Sequence, residues 1–581
     1  MPSLSLCLIA RDEAQFIGRC IASVDGVADE VVVCDTGSVD ETVAIAESAG
    51  AKVVHHVWND DFSAARNVAL AAATGDWVLV LDADEVLAPG AGPVLRAAMT
   101  SNELDCGLLP LHHADGLDAA PLDVLRGDRR HQEPTALARL FRRTEDLRWE
   151  GMIHELPSSW LAQSGRRMGL VRASIVHYGN VPDLREARDK AARNLRLLER
   201  ACRAEPEDTA RRTYLARERW RAGDGPGAMQ AAQAAWDGLV AQMSDGPRPF
   251  VATTITLHVY LLLAARKTRE ALQCLALARG WEVCHPNLAT LWAAALVEQG
   301  GAAEPELRAA LEAVERDALG AAGKAFVDEL LPGATGAMAH RLAGELCTSL
   351  GETEAALKHL RKALALDPQD VAARLALAEA LMAARRSGEA LGLVEPMLKS
   401  GLPDAWLVVA EAASKLGQRD QAAPMLQRAM GSTVQWVSHR RSLRLARRLA
   451  EQAAWKRLKQ LTSGRPPPPH PTPELAKKTA AEALDQRRIG LAMQLLPQVL
   501  SADPGDAGAW AILATAAFRQ GAVPLAKQLL ATARALSPHH GRALGLLVEM
   551  AEQQGNVAAA RTWGRVALAR GVVMQAGAAD T

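Results

Sequence analysis

The densest chemistry in this 581-residue chain is the run WVLVLDADEVL, Trp77 to Leu87, where an apolar stretch ends in Asp82, Asp84 and Glu85. Three carboxylates at one strand end repel each other unless a cation or hydrogen-bond donors neutralise them. Surface acids usually sit in solvated loops rather than at the end of so apolar a run, so a plain solvated cluster is the lesser reading. Hard cations such as Mg²⁺ or Mn²⁺ take oxygen ligands and bridge one or two carboxylates to a diphosphate. The acids therefore point to a metal-diphosphate substrate.

A second run, VVVCDTGSVDET from Val31 to Thr42, carries a buried strand into Asp35 and then turns through Gly37 and Ser38 toward a helix capped by Ser38 or Asp40. It reads equally as a capped strand-to-helix turn and as a nucleotide-binding edge. The glycine-rich dinucleotide fingerprint and the Walker A sequence are both absent from the chain. The pairs His55-His56 and His112-His113 do not form chelates, because neighbours on a strand face opposite ways. The five arginines between Arg440 and Arg448 read as a solvated helix face, with docking of an acidic partner second.

These groups need a frame. Leu4–Ala10, Glu30–Thr36, Lys52–Trp58 and Trp77–Leu81 are near-continuous apolar runs, as expected of parallel strands buried on both faces. Between them, Val39–Ala49 and Phe62–Ala73 have helical spacing with glycine stops at Gly50 and Gly75. The pattern predicts a doubly wound α/β sheet with its ligand at the strand C-termini. Asp105–His112, Leu137–Arg142 and Ser174–His177 continue as strands of a more mixed region. Beyond about residue 183 no further strands are expected.

A period of 34 then sets in: Ala492, Ala526 and Ala560, Pro504 and Pro538, Gly521 and Gly555, and, upstream, Ala356 and Ala390. Paired helices need small residues where they touch and a proline where the second helix ends. The period resembles that of tetratricopeptide repeats. It divides the chain into 1–200, an α/β domain; 201–336, degenerate helical repeats; 337–464, repeats; 465–473, a stiff Pro-rich linker dividing the solenoid; and 474–571, further repeats.

Taken together, DTGS at Asp35, DFSAARN at Asp61 to Asn67 and DADE at Asp82 resemble the family-2 glycosyltransferases of the GT-A fold, and more closely a subgroup fused to tetratricopeptide repeats. The resemblance implies a GT-A, Rossmann-like N-terminal domain followed by an all-α solenoid. It implies a nucleotide-sugar site at Ala10, Asp35, Arg66, Asp82 and Ala83, with Asp35 beside the base and Asp82 toward the ribose. Asp84 and His177 are the implied ligands of Mn²⁺ or Mg²⁺, the imidazole favouring Mn²⁺. RWEGMIHELP, Arg148 to Pro157, is similar to the subgroup's G-x-x-H-E stretch, which makes Glu155 the candidate base, Glu150 its competitor and His154 an orienting group. Lys190, Arg193 and Asn194 resemble the basic helix closing the subgroup's catalytic region. Two positions depart from the pattern: Arg11-Asp12-Glu13 replaces the usual Asn-Glu loop, and Thr36 stands where a second acid is common.

The resemblance implies metal-dependent, inverting transfer from a UDP-sugar, and the repeats suggest a peptide or protein acceptor. The alternatives are a saccharide or lipid-linked acceptor in envelope polysaccharide synthesis, or a scaffold with a dead catalytic domain. A nucleotidyltransferase would need a glycine-rich basic loop after the first strand, which Arg11-Asp12-Glu13 is not. A formal charge of −1 argues against nucleic-acid binding. Leu4–Ala10 is too short for a leader peptide, and no apolar run reaches the ~20 residues of a membrane span. The eight cysteines lack C-x-x-C spacing and read as core residues of a reducing compartment, so a cytoplasmic protein is expected, with a homo-oligomer open.

Overall fold

A computed structural model describes residues 1–130, 133–163, 165–179, 181, 190–243, 250–322, 326 and 330–568. The chain divides into two compact units, Met1–Pro368 and Gln369–Thr581. The division falls inside the expected 337–464 array, and the last residues of the expected 474–571 array lie outside the described residues.

The first unit opens on a mixed sheet whose strands are β1 (Leu4–Ala10), β2 (Glu30–Asp35), β3 (Lys52–His55), β4 (Trp77–Val80), β5 (Glu85–Leu87), β6 (Cys106–His113), β7 (Thr135–Arg142), β8 (Met168–Leu170) and β9 (Ile175–His177). Their order is β3-β2-β1-β4-β7-β6-β9-β5, with β8 paired to β6. The four leading strands are parallel, and β7 turns the sheet antiparallel against β4. The apolar runs account for this directly. Leu4, Leu6 and Leu8 pack on one face with Ile17 and Leu95, whereas Cys7 lies on the other with Ala65 and Val80. Helices α1 (Ile17–Ala22) and α4 (Ala91–Thr100) cover the first face, and α3 (Phe62–Ala72) the second; α2 is Thr42–Ser48. Fully burying a leucine such as Leu6 contributes about 2 kcal/mol.

The structure refines two local expectations. Helix α2 begins after Glu41, whose own side chain makes no capping bond. Of the two expected caps, Asp40 accepts the amide of Thr42, the first helical residue, at 3.0 Å, whereas Ser38 accepts the Asp12 amide; with Asp40 also accepting the Ala14 amide, the pair stitches the loop after β1 to the loop after β2. The linker expected to split the solenoid also behaves differently. Residues 465–472 are non-helical, yet Ala454 and Leu458 before them share one core with Ala476, Ala480 and Leu484 beyond them. Prolines fix the crossing without breaking the packing.

Among the described residues beyond β9 the regular elements are helices, and Phe326 forms an isolated bridge onto Thr135 of β7. In the second unit the 34-residue period has a physical cause. Ala492, Ala526 and Ala533 are fully buried where helices meet, and Gly521 and Gly555 both turn at positive φ, 79° and 66°. Glycine suits that left-handed turn because it lacks the Cβ that makes it costly.

The Arg440–Arg448 segment corrects a sequence expectation. Arg441 and Arg444 bind Glu379, while Arg444 and Arg448 bind Glu411. Arg441 is buried, so this side of the helix is an interior ion-pair network rather than a solvated face. The acidic partners come from helices far upstream, out of reach of any local reading.

Candidate active site

A cleft of about 770 Å³ opens at the C-terminal ends of the parallel strands. Its lining includes Ala10, Thr36, Arg66, Asp82, Ala83, Asp84, Glu155 and His177. Most of the residues singled out from sequence therefore converge on one space, at the strand ends where open α/β sheets bind ligands.

The acids after β4 divide their partners. Asp82 binds Arg66 at 2.8 Å and Arg139 at 3.2 Å. Burial would raise its carboxyl, but Arg139 and Arg66 outweigh burial and hold it well below the usual carboxylate range. Glu85, fully inside, binds Arg139 at 2.6 Å and accepts the Asp82 amide at 3.0 Å. Asp84 turns away to His177, with its oxygen 3.4 Å from Nε2. Burial alone would lower the imidazole pKa; the hydrogen bond and charge of Asp84 outweigh it and raise it. Antiparallel pairing of β5 with β9 sets this meeting, because Glu85 and His177 are register partners.

Arg66 reaches the cleft from α3, whose first turn is capped by the Asp61 carboxylate accepting from the Ala64 amide at 3.1 Å. Its neighbour Asn67 makes a two-way clamp on the Trp149 backbone, donating to the carbonyl at 3.0 Å and accepting from the amide at 2.9 Å. That clamp fixes the entry to the next loop, residues 150–156, closed by backbone bonds in both directions between Glu150 and Leu156. At its far end Glu155 meets Arg66 Nε at 2.5 Å. The other acid, Glu150, accepts the Ser159 amide at 3.1 Å and is not part of the cleft lining.

Asp35 is 4% exposed, and its carboxylate accepts the amides of Gly37 and Ser38, at 3.1 Å each. His55 stands 3.4 Å from it. The carboxylate thus shapes the loop after β2, while Thr36 is the residue of that loop that lines the cleft. Arg193 and Asn194 line the cleft too, and Lys190 lies in the same helix with its side chain outside the described residues.

One residue escaped the sequence reading, as did the partner of another. Arg139 is a buried cation inside the apolar strand TALARLFR, and that misplaced charge was the available signal. His113 is the register partner of His177 on β6, and the two Nδ1 atoms lie 2.9 Å apart. From sequence His113 is set aside with His112 as no chelate, and only strand pairing brings its ring to His177.

Among the described residues no group of three or more His, Cys, Asp or Glu side chains is arranged to hold a metal ion. The pair Asp84 and His177 nevertheless fits a partial site. Ligands about 2.1 Å from a divalent ion at right angles stand about 3 Å apart, close to the 3.4 Å found. The space beside them is kept clear by Gly179, where a Cβ would lie 1.9 Å from Asp84 Oδ2 and 2.8 Å from His177 Nε2.

Residues 5–123 match the family model Glycosyl transferase family 2, and residues 344–384 match a TPR repeat model. The chain is 39% identical over 271 residues to a TPR repeat-containing protein of Synechococcus elongatus, covering 45% of this chain and 62% of that one. It is 26% identical over 223 residues to the SPbeta prophage-derived glycosyltransferase SunS of Bacillus subtilis, covering 37% and 49%. An uncharacterized glycosyltransferase of Rickettsia felis is 42% identical over 87 residues, covering 15% and 30%. The matched part thus spans less than two thirds of each of these relatives. No described helix is long and apolar enough to cross a membrane. The matched segments and the structure agree in place: the sheet and its cleft fall where the chain is similar to family-2 glycosyltransferases, and the tetratricopeptide-like segment falls among the helices that follow.

Proposed function

We propose that the protein is a metal-dependent, inverting glycosyltransferase that moves a sugar from a UDP-sugar to a peptide or protein acceptor. The observation that carries this reading is the meeting of Asp82, Asp84, His177, Arg66 and Glu155 in one cleft at the ends of the parallel strands. Ala10, Thr36 and Ala83 line the donor side, and Asp35 acts there by holding the Gly37–Ser38 turn. Asp82, held by two arginines, faces the ribose.

Asp84 and His177 would hold a divalent Mn²⁺ or Mg²⁺ ion, whose chemistry when bound is to offset the charge of the departing diphosphate. Glu155 accepts the proton of the acceptor as the acceptor atom bonds to the anomeric carbon. The bond from that carbon to the diphosphate oxygen breaks on the opposite face, and the nucleoside diphosphate leaves with the electron pair. Glu155 is preferred to Glu150 because only Glu155 lines the cleft. Arg66 holds Glu155 and Asp82 in one frame, so the base and the donor-binding acid keep a fixed separation. The repeats support a polypeptide acceptor, since stacked helix pairs present extended surfaces suited to peptide chains.

Inversion is checked by ¹H NMR of the first-formed product. An α-linked donor gives a β-linked product under this mechanism, and an α-linked product contradicts it.

A further inference from the structure

The loop that carries Glu155 is built between two structures, and only one of them is the sheet. On the sheet side, Asn67 clamps Trp149, and the Phe62 amide donates to the Met152 carbonyl at 3.0 Å. On the other side lies the helix Thr209–Arg221, beyond the point where the sequence places the end of the catalytic domain. Three consecutive parts of the loop rest on it. Gly151, at φ 97°, leaves room for Arg211, whose guanidinium would lie 3.3 Å from a Cβ there. Ile153 is buried in a cluster with Leu197, Leu198, Leu215 and Ala216. The His154 ring stacks on Tyr214, with centroids 3.9 Å apart and planes at 22°.

His154 needs that support. Its φ of 54° lies in the left-handed region, unfavourable for a residue with a Cβ unless its surroundings impose it. Its Nε2 is buried without a hydrogen-bond partner, so no polar contact at that atom fixes the ring. Burial, with Arg217 and Arg221 nearby, pushes its pKa down to about 3, leaving a neutral ring that stacks as an aromatic. The next residue is Glu155, and both His154 and Tyr214 line the cleft beside it.

We propose that Tyr214 is a positioning residue for the base: by stacking on His154 it holds the left-handed turn that delivers the Glu155 carboxylate to Arg66. The catalytic unit then extends through the helix Thr209–Arg221 instead of closing near residue 200. This rests on the reading of Glu155 as the base and adds a residue that acts through its loop without touching the reacting atoms.

The test uses the full chain, with UDP-glucose and UDP-N-acetylglucosamine hydrolysis in Mn²⁺ as the activity probe and amide hydrogen exchange as a second readout. For Tyr214→Ala the expected result is at least a tenfold fall in kcat with donor KM within twofold of wild type, and faster exchange confined to residues 150–156. Tyr214→Phe, which keeps the ring, is expected to restore both readouts. The proposal is overturned if Tyr214→Ala leaves exchange in that loop unchanged, if it alters KM alone, or if Tyr214→Phe behaves like the alanine variant. Exchange decides the role of Tyr214 by itself; absence of donor turnover in the wild type would count instead against the reading of the function.

Discussion

The Arg66 guanidinium joins Glu155, 89 residues away, at 2.5 Å, and through its other arm joins Asp82 at 2.8 Å. One buried cation thus ties the acid after β4 to the acid of the 150–156 loop. Arg66→Lys keeps the charge but loses the fork that serves two carboxylates at once. The expected outcome is a fall in kcat/KM of about 100-fold, in the range found when a single charge-stabilising donor is removed. Steady-state kinetics with the donor checks it, and a change under threefold would contradict the bridging role.

The two candidate bases separate cleanly by geometry. Glu155→Gln removes the proton acceptor and should lower transfer by about 10³-fold, within the usual contribution of general base catalysis. Glu150→Gln affects a carboxylate occupied with the Ser159 amide and should stay within about threefold, since the amide oxygen can still accept that bond. Measuring both variants under single-turnover conditions distinguishes them.

Gly179 guards the space between Asp84 and His177. Gly179→Ala places a methyl group where those two side chains now stand, and one or both must move. The expected result is a shift of at least tenfold in the Mn²⁺ concentration that gives half-maximal activity, with far-UV circular dichroism unchanged. An unaltered Mn²⁺ dependence would remove these two residues from the ion's ligand set.

Away from the cleft, burial would raise the Glu379 carboxyl, but Arg441 and Arg444 overcome it and hold its pKa at about 2, below the ordinary 4.5. A depressed carboxyl contributes stability that is complete above pH 4.5 and is lost as pH falls from there through about 2. Thermal melts of the full chain should show the second unit weakening across that window. Glu379→Gln, which leaves the arginines without their shared acid, should cost about 3 kcal/mol at neutral pH and flatten that dependence.

The sequence was legible where local chemistry decides structure. The strands before the cleft and the acids at their ends follow from apolar runs, and the repeat period follows from small residues at fixed spacing. Strand β5 was missed because three residues after an acidic turn carry too short a pattern, yet its pairing with β9 brings Asp84 to His177. Arg139, the pairing of His113 with His177 and the partners of Arg441 were missed for the same kind of reason, since each contact joins residues from separate elements. Asp35 illustrates the converse: the sequence reads equally as a turn begun by this residue and as a nucleotide-binding edge, and the structure shows its carboxylate accepting the Gly37 and Ser38 amides of that turn.

The most direct measurement is donor turnover by the purified chain: release of UDP from UDP-glucose and UDP-N-acetylglucosamine, with Mn²⁺ and with the metal chelated, for wild type and Asp84→Ala. The account predicts release that needs the metal and falls at least 100-fold in Asp84→Ala. Undiminished release by Asp84→Ala, or by the chelated enzyme, would contradict it.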